Sequence, residues 1–436
     1  MNTEPKYWNR LRFKDIGYLY GGLTGKSGDD FRCEENEDGI KPYLSFTNIL
    51  NNMYIDFSQL KYVRMEDGDI QNPVAENDLL FLMSSEDYES IAKAAVIVGK
   101  PDNDIYLNSF CKGLRIVKPG IFAPYVGYQL AEDNSRDSLR FEAQGFTRIN
   151  IKTGKIASAP IILPPLAEQI KMANYLDDKI SGINAQIVAR EKELQLLQNL
   201  KKAKVAETVT KGLSQNIQLK DSRIPSIGMI PAHWEVRRLK ELFEFGSGLP
   251  ISKADLLETG IPVISYGQIH AKFNRGTKVE EQLIRYVNPS YLETNPSSLV
   301  NKGDVIFADT SEDLEGCGNC VYIDKQMPLF AGYHTVILKC RKENPYLAYL
   351  FQSSNWREQI RKRVCGVKLY SITKTILNSV YVILPPIEEQ IQTVEYLDHE
   401  CEQIEKKCTL IDKQIQQLQL LKRALINEVV TGKKAI

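Results

Sequence analysis

A glycine–lysine–serine triplet near the start of the chain is the first candidate for chemistry, because such triplets can bind nucleotide phosphates. It occupies Gly25, Lys26 and Ser27. The complete phosphate-binding pattern also requires a glycine five residues before Gly25, where Tyr20 stands instead. The sequence therefore favours a glycine turn at the start of a domain over a nucleotide site.

Two Ser-Glu-Asp segments could place carboxylates beside hydroxyl groups, as a metal-dependent nuclease requires. They lie in residues 84–87 and 310–313, and each follows an apolar run that is typical of a buried strand. The further acidic and lysine residues of a nuclease do not stand at defined spacing around them. We interpret both segments as structural turns, with ligand-facing hydroxyls as the alternative.

Cysteine and histidine patterns give little support to a metal site or a catalytic triad. Cys317 and Cys320 form one CxxC, with Cys340 and His334 as the only nearby ligand types. A zinc site would require a second ligand pair at regular spacing. The other histidines are dispersed, so we predict a plain loop around the CxxC and no metal.

Composition indicates an ordinary globular protein. The chain has 436 residues, of which 43% are hydrophobic and 25% charged, with 55 basic and 55 acidic side chains. No apolar run approaches the roughly 18 residues of a membrane span, and the N-terminus has no export signal, so we expect a cytoplasmic protein. A neutral balance neither predicts nor excludes nucleic-acid binding, which depends on where the charges lie.

The sequence contains a two-fold internal repeat. Residues 162–170 (ILPPLAEQI) match residues 383–391 (ILPPIEEQI) at a shift of 221 residues, and the same shift persists through the segments that follow. Nearer the start of each copy the shift is 226, so that Trp8 aligns with Trp234. Two ordered sets of matches with one small change of register indicate a duplicated unit.

Each copy combines a domain with a long helix. Short β-like runs separated by turn residues predict a compact α+β domain of about 150 residues. The predicted boundaries are residues 1–165 for the first domain, 166–212 for a central helical spacer, 213–232 for a linker, 233–386 for the second domain and 387–436 for a C-terminal helical spacer.

The second part of each copy predicts a helix of about 45 residues with an apolar seam. Apolar residues recur at spacings of three and four, which is the pattern of a coiled coil. One helix could not bury this stripe alone, so we predict that the two helices pair with each other. The predicted seam residues are Ile183, Ile187, Leu194, Leu197, Ile404, Ile411, Ile415 and Leu418, interrupted by Lys201 and Lys422.

Over nearly its whole length the chain resembles the specificity subunits of type I restriction–modification systems. The most specific part is the duplicated start of the long helices, Leu-Pro-Pro followed by Glu-Gln. The next is the Ile230-Pro231-x-x-Trp234 approach to the second domain. The first copy departs from this pattern, because no Gly-x-Ile-Pro precedes Trp8.

The resemblance implies two target-recognition domains that each read one half of a split, asymmetric site in double-stranded DNA. The two long helices would form an antiparallel coiled coil, with the two copies related by a pseudo-two-fold axis. This coiled coil would set the unread gap and dock two methyltransferase (modification) subunits, which use S-adenosylmethionine to methylate adenine N6. Restriction subunits would add ATP- and Mg-dependent cleavage. This chain itself would carry no cofactor and no catalytic centre.

Basic residues recur in matching segments of both copies, as contacts to phosphates and base edges require. The segments after Gly145 and Gly366 differ in residue type between the copies, which two domains reading different half-sites would need. For the helical arginines the alternative is a solvated helix face. The predicted DNA-binding residues are Lys26, Ser84, Arg136, Arg140, Arg148, Lys152, Thr310, Arg357, Arg361, Lys368, Tyr370 and Lys374.

Two other functions compete with this interpretation. A coiled-coil adaptor whose domains bind proteins would explain the helices and the neutral charge, but not the paired basic segments. A solitary DNA-modifying enzyme would need a methyltransferase motif of the Asn-Pro-Pro-Tyr type, which the sequence lacks. DNA binding that weakens at high salt would separate the specificity subunit from the adaptor.

Overall fold

The computed structural model describes residues 8–33, 38–66, 68–214, 217–366 and 369–436. The chain divides into two units, one made of Met1–Glu191 with Lys413–Ile436 and the other of Lys192–Asp412. Each unit therefore holds one repeated domain together with a segment of each long helix.

The first domain is a mixture of short strands and short helices. Its strands are β1 (Asn9–Arg12), β2 (Gly17–Gly21), β3 (Ile40–Leu44), β4 (Lys61–Arg64), β5 (Leu79–Leu82), β6 (Ser84–Ser85), β7 (Ala94–Val96), β8 (Tyr106–Leu107), β9 (Cys111–Ile116), β10 (Ile149–Asn150) and β11 (Pro160–Leu163). Its helices are α1 (Phe46–Asn51), α2 (Ala123–Ala131), α3 (Asp133–Phe141) and α4 (Thr153–Ser158), followed by the long α5 (Leu166–Lys211).

Two sheets form the body of this domain, in the orders β2-β9-β5-β7 and β4-β3-β8. All four residues of β5 are buried, because this strand lies inside its sheet and is covered on both faces. On one face Phe81 meets Phe13 edge to face, with 5.7 Å between ring centroids. Antiparallel pairing of β1 with β11 then ties the first strand to the start of α5.

After α5 the chain forms a short antiparallel pair, β12 (Leu219–Asp221) with β13 (Met229–Pro231), and enters the second domain. The strands of that domain are β14 (Glu235–Arg238), β15 (Phe243–Ser247), β16 (Ile261–Ile264), β17 (Arg285–Val287), β18 (Leu299–Val300), β19 (Val305–Ala308), β20 (Thr310–Ser311), β21 (Cys320–Tyr322), β22 (Leu329–Ala331), β23 (Thr335–Cys340), β24 (Tyr370–Ser371) and β25 (Tyr381–Leu384). Its helices are α6 (Leu239–Leu242), α7 (Tyr266–Ile269), α8 (Tyr291–Thr294), α9 (Pro345–Leu350), α10 (Ser354–Arg361) and α11 (Lys374–Ser379), followed by the long α12 (Ile387–Val430).

The second domain repeats the sheet order of the first. Its central sheet runs β15-β23-β19-β21, its second sheet is β17-β16-β22-β18, and β14 pairs with β25 as β1 pairs with β11. The change of shift from 226 to 221 falls in two loops. The shift falls from 226 to 224 at Leu107 and Ala331, which follow the loops after β7 and β21, and from 224 to 221 at Pro124 and Pro345, which follow the loops after β9 and β23. The central sheet keeps its frame, whereas the second sheet gains the additional strand β18.

The Pro-Pro-x-x-Glu-Gln pattern has a local reason at the start of each long helix. The Gln169 side-chain amide donates to the carbonyl of Pro164 at 2.8 Å, and the Gln390 amide donates to that of Pro385 at 2.7 Å. Each glutamine thus folds back over the proline pair and fixes the angle at which the helix leaves its domain.

Within each unit, segments of the two long helices run antiparallel. In the first unit Lys422 of α12 donates to Asn184 of α5 at 2.9 Å, and in the second Lys201 of α5 contacts Glu405 of α12 at 2.5 Å. The eight predicted seam residues are all buried or half-buried. The predicted fold class, two similar α+β domains with long antiparallel helices, is confirmed.

A buried tyrosine ties each domain to the end of the helix that belongs to the other copy. The hydroxyl of Tyr125 lies 3.4 Å from the carbonyl of Val430 and 3.2 Å from that of Ile162, so the two acceptors share its single proton within the first unit. Tyr346 donates to the carbonyl of Val209, at 2.7 Å, within the second. Tyr125 aligns with Tyr346 and Val209 with Val430, so one contact occurs twice and closes each unit from distant parts of the chain.

Candidate DNA-recognition surfaces

A tight hairpin closes the first domain and carries the most exposed basic residue among its predicted ligands. Its strand β10 pairs with β6, and the backbones of Gln144 and Asn150 exchange two hydrogen bonds of 2.9 Å. Gly145 has a φ of +145°, and a Cβ there would lie 2.0 Å from the carbonyl oxygen of Arg148. The hairpin therefore requires glycine at this position, as its counterpart does at Gly366, where the Cβ would lie 2.1 Å from the carbonyl oxygen of Leu369.

Arg148 lies on this hairpin, and its guanidinium carbon is 4.4 Å from the ring centroid of Phe110. Such a stack fixes the plane of the guanidinium while its edge N–H groups stay in solvent. Lys152 is exposed at the start of α4, three residues after the hairpin strand begins. Together they form an exposed cationic edge that can meet phosphates or base edges.

The equivalent hairpin of the second domain pairs β24 with β20, so that Ser371 lies opposite Thr310 and Tyr370 opposite Ser311. Tyr370 is half-buried, and Lys374 donates to the hydroxyl of Ser247 at 2.9 Å. Lys368 lies outside the described residues. This surface offers hydroxyl groups and a lysine where the first offers an arginine stacked on an aromatic ring.

The four helical arginines bind loops of their own domains. Arg136 donates to the carbonyl of Glu89 at 2.8 Å and Arg140 to that of Tyr88 at 2.9 Å, while Arg361 donates to the carbonyl of Glu315 at 2.7 Å. These acceptors lie in the two Ser-Glu-Asp loops or directly after them. The helices α3 and α10 thus hold loops that follow β6 and β20, beside each hairpin.

Arg357 is the most completely bound of these arginines. It donates to the carbonyl of Phe351 at 2.7 Å, to the side-chain oxygen of Asn319 at 2.6 Å and to the side chain of Gln352. Its guanidinium is enclosed, and burial lowers its pKa. These contacts fit a residue that positions its neighbours.

A chain of hydrogen bonds leads from Arg357 to the second hairpin. Because Asn319 accepts from Arg357 through its oxygen, its amide nitrogen faces Nδ1 of His270 at 3.1 Å. Nε2 of His270 lies 2.8 Å from the carbonyl of Thr310, which can only accept, so Nε2 carries the proton and Nδ1 accepts. The chain borders an open cleft of about 700 Å³ that is also lined by Lys202 and Arg361.

The remaining predicted ligands lie in more closed surroundings. Ser84 is buried, and its hydroxyl has no hydrogen-bond partner among the described residues. Lys26 forms an ion pair with Asp69, and this hydrogen bond raises the pKa of the lysine. Ser84 is therefore screened from solvent, and Lys26 is already paired within the protein.

The two cysteines of the CxxC segment are buried in the core of the second domain. Burial raises the pKa of Cys317 and raises that of Cys320 to about 11, which disfavours the thiolate that a metal needs. In the described part of the chain no group of three or more His, Cys, Asp or Glu residues is placed to hold a metal. Nor is any described helix both long and apolar enough to cross a membrane.

Sequence reasoning missed three features of these surfaces. It did not select Phe110 or Phe146 in the first domain, or His270 in the second. An aromatic residue beside a required glycine in a polar hairpin was a signal for Phe146. The role of His270 had no local signal, because Thr310 and Asn319 stand 40 and 49 residues from it.

A duplicated α+β domain, each copy followed by a long helix, defines a protein with two similar binding modules. Its described residues contain no catalytic cluster. The model of the "type I restriction modification DNA specificity domain" matches the chain twice, over residues 5–196 and 231–420. The chain belongs to this family. It supplies the DNA specificity of a type I restriction–modification system as a non-catalytic subunit.

Relatives and solved structures agree with this assignment. The chain is 25% identical to the MjaVIII specificity subunit of Methanocaldococcus jannaschii, over 98% of this chain and 93% of that protein. It is 23% identical to the EcoKI specificity subunit of Escherichia coli, over 94% and 85%. A solved chain described as "Structural basis underlying complex assembly and conformational transition of the type I R-M system" superposes with a TM-score of 0.70 at 16% identity, over 99% of this chain and 100% of that chain, and shares its fold.

Proposed function

We propose that each unit reads one half of a bipartite, asymmetric DNA site through the hairpin that closes its domain. The observation that carries this proposal is the pair of two-stranded ladders, β10 with β6 and β24 with β20, which share one frame and differ in the side chains around them. A protein that recognises two different half-sites needs a shared backbone frame with different side chains. The frame fixes the orientation on DNA, and the side chains that differ determine which bases are bound.

In the first unit Arg148 and Lys152 are the proposed DNA contacts. A guanidinium held in a fixed plane can donate two hydrogen bonds to guanine O6 and N7, and a nearby lysine suits a phosphate. In the second unit the proposed contacts are Thr310, Tyr370 and Lys374, with Lys368 retained from the sequence. Their hydroxyl groups both donate and accept, so this unit would select different bases.

We propose that most of the other predicted DNA-binding residues position the recognition surface and do not contact bases themselves. Arg136, Arg140, Arg357 and Arg361 hold the loops beside the hairpins, and Ser84 lies under the first hairpin opposite Asn150. Lys26, bound to Asp69, is proposed as a peripheral phosphate contact whose ion pair would open on DNA binding.

We infer the partners from the family and from the long helices. Two methyltransferase subunits would dock on this chain and bring S-adenosylmethionine for methylation of adenine N6, and restriction subunits would bring ATP and Mg. This chain would hold no cofactor, and the complex would act in the cytoplasm, where host DNA lies.

Co-expression with the methyltransferase encoded beside this chain tests the proposal, with N6-methyladenine mapped across host DNA by long-read sequencing. We expect a single gapped motif with half-sites about one to two helical turns apart, lost when this chain is omitted. Arg148→Ala should relax base preference in one half only, and Lys374→Ala should weaken methylation through the other. Lys118→Ala and Arg285→Ala, which remove exposed basic residues elsewhere in the two domains, are the matched controls.

Several outcomes would contradict the proposal. Ungapped or absent methylation, while the chain still binds the methyltransferase, would favour the protein adaptor. DNA affinity that does not fall as salt rises would do the same, because phosphate contacts release counterions. Relaxation of both halves by Arg148→Ala would show that the units do not read independently.

A further inference from the structure

The tip of the first hairpin exposes an aromatic ring that the contacts proposed above do not use. Phe146 has a relative exposure of 104%, whereas phenylalanine is ordinarily buried. The ring cannot fold back readily, because Gly145 turns the chain sharply and the Gln144–Asn150 pair clamps the hairpin behind it. The fold thus holds this ring out in water on a short, braced support.

The surroundings of this ring favour a nucleic acid over a protein. Of the four basic side chains in residues 140–155, Arg140 is ion-paired with Glu89 and Asp137 and Lys155 with Glu142, so that the exposed Arg148 and Lys152 supply the positive charge near the ring. Arg148 lies two residues away and is stacked on Phe110, itself partly exposed. An apolar tip surrounded by positive charge suits a polyanion with flat apolar faces, and base pairs in DNA provide both.

We propose that Phe146 is a wedge that inserts between adjacent base pairs of the first half-site or its edge, beside the contact made by Arg148. Phenylalanine wedges of this kind unstack a base step and kink the duplex. Pyrimidine–purine steps unstack most easily, so the wedge would select such a step through its deformability rather than through hydrogen bonds. The inference rests on the proposed function of this hairpin.

The wedge belongs to the first unit alone. The aligned residue of the second copy is Val367, which lies outside the described residues and has no aromatic ring. Leu369, the neighbouring exposed apolar residue, also lacks one. The two half-sites should therefore be distorted unequally.

The test uses the full chain in complex with its methyltransferase and a duplex that carries the mapped motif. 2-Aminopurine, whose fluorescence rises when it is unstacked, replaces one base at a time along both half-sites, except at and beside the adenines that are methylated, because methyltransferases flip their target base out of the stack. We expect one step of the first half-site to brighten several-fold on binding, and no step of the second. Phe146→Ala should abolish this signal and weaken binding about tenfold, as loss of one base–aromatic stack does. Phe146→Trp should retain both.

Phe141→Ala is the matched control, because it removes a ring of the same size that is also highly exposed, at 89%, but at the end of α3. It should leave fluorescence and affinity unchanged. Phe146 makes no packing contact that its loss would disturb, so the variant should keep the melting temperature of the parent.

Three results would overturn the wedge. One is a silent 2-aminopurine scan of both half-sites with the parent complex. Another is unchanged DNA affinity of Phe146→Ala. The third is loss of the methyltransferase from the purified Phe146→Ala complex, which would make the ring a protein contact. If Arg148→Ala still relaxes the first half-site, the proposed function stands and only the wedge fails. If it does not, both fail.

Discussion

Arg136 in the first unit and Arg357 in the second occupy the same position of one repeated helix, yet they are bound differently. Arg136 donates to the carbonyl of Glu89, while its Nη1 is buried without a partner among the described residues. Arg357 donates to Phe351, Asn319 and Gln352. Burial lowers the pKa of both, but only the second guanidinium is compensated at each nitrogen.

The comparison separates two kinds of residue in a duplicated binding protein. Residues that recur in both copies, such as Tyr125 with Tyr346 and Gln169 with Gln390, make internal contacts that hold the frame. Residues that differ at aligned places, such as Arg148 on its hairpin, lie where a ligand can reach them. Recurrence within one chain therefore indicates structure, and divergence indicates recognition.

The largest expected difference between the units follows from these two arginines. Arg357→Met keeps the length of the side chain but leaves three acceptors without their donor, two of them on half-buried side chains, so we expect the second unit to lose about 2 kcal/mol of unfolding free energy. Arg136→Met removes one bond and an unsatisfied N–H, so the first unit should lose about 1 kcal/mol or less. Hydrogen exchange with mass spectrometry would measure the local stability of both units in each variant.

Peptides from α10 should lose protection in Arg357→Met, and peptides from α3 should change little in Arg136→Met. Arg285→Met, which alters an exposed arginine of the second domain, is the control. Equal losses of protection in the two units would contradict this prediction, since they would show that the additional hydrogen bonds of Arg357 contribute nothing to stability.

A smaller difference is expected at two aligned carboxylates of the long helices. The carboxylate of Asp177 accepts two hydrogen bonds of 2.6 Å, from the hydroxyl groups of Tyr54 and Tyr128. Among the described residues, the carboxylate of Asp398 accepts one tyrosine hydrogen bond, from Tyr349. Tyr349→Phe should therefore cost the second unit about 1 kcal/mol, because water can replace the lost partner of the exposed Asp398, and Tyr128→Phe should cost the first less, because Tyr54 still donates to Asp177. Urea unfolding monitored by hydrogen exchange would compare the two losses of unfolding free energy.

The same tyrosines give a pH dependence with a defined sign. Burial, and then the hydrogen bond to Asp398, raise the pKa of Tyr349 above its unfolded value of 10.0. The folded state keeps this proton longer than the unfolded state, so the stabilisation is complete below about pH 10 and is lost as the pH rises further. Tyr349→Phe should flatten this loss in the second unit, and an unchanged slope would contradict the assignment.

The helices and the repeat could be predicted because their signals are local and periodic. The paired prolines, the Glu-Gln that follows them and apolar residues at spacings of three and four are each readable within one segment. Sheet order could not be read in this way. Many strands, such as β6 and β10, have only two residues, which is too short for an alternation pattern.

The site was less predictable than the fold for a related reason. Arg136 and Arg140 stand four residues apart on a helix, which suggests a solvated or ligand-facing surface. Their acceptors come from a loop about 50 residues earlier in the chain, and only the tertiary fold brings them together. The exposure of Phe146 likewise depends on the backbone pairing of Gln144 with Asn150, which neither composition nor residue spacing predicts.

The smallest and sharpest test concerns the two lysines that interrupt the helical seam. Lys201 of the second unit is paired with Glu405, and the aligned Lys422 of the first meets the neutral Asn184. Burial lowers the pKa of Lys422, so its charge destabilises the folded first unit, and Lys422→Met should raise unfolding free energy by about 1 kcal/mol. Lys201→Met should lower that of the second unit by a smaller amount, because Glu405 loses one partner but keeps its ion pair with Arg275.

The pH dependence and one further substitution sharpen this test. Since the folded first unit binds the Lys422 proton more weakly than the unfolded chain, stability of that unit should rise with pH towards the unfolded lysine pKa of 10.5. Lys422→Met should remove the rise. Asn184→Glu, which gives Lys422 the carboxylate that Lys201 already has, should remove it as well. If Asn184→Glu leaves the slope unchanged, the missing acid at position 184 is not what distinguishes the two seams.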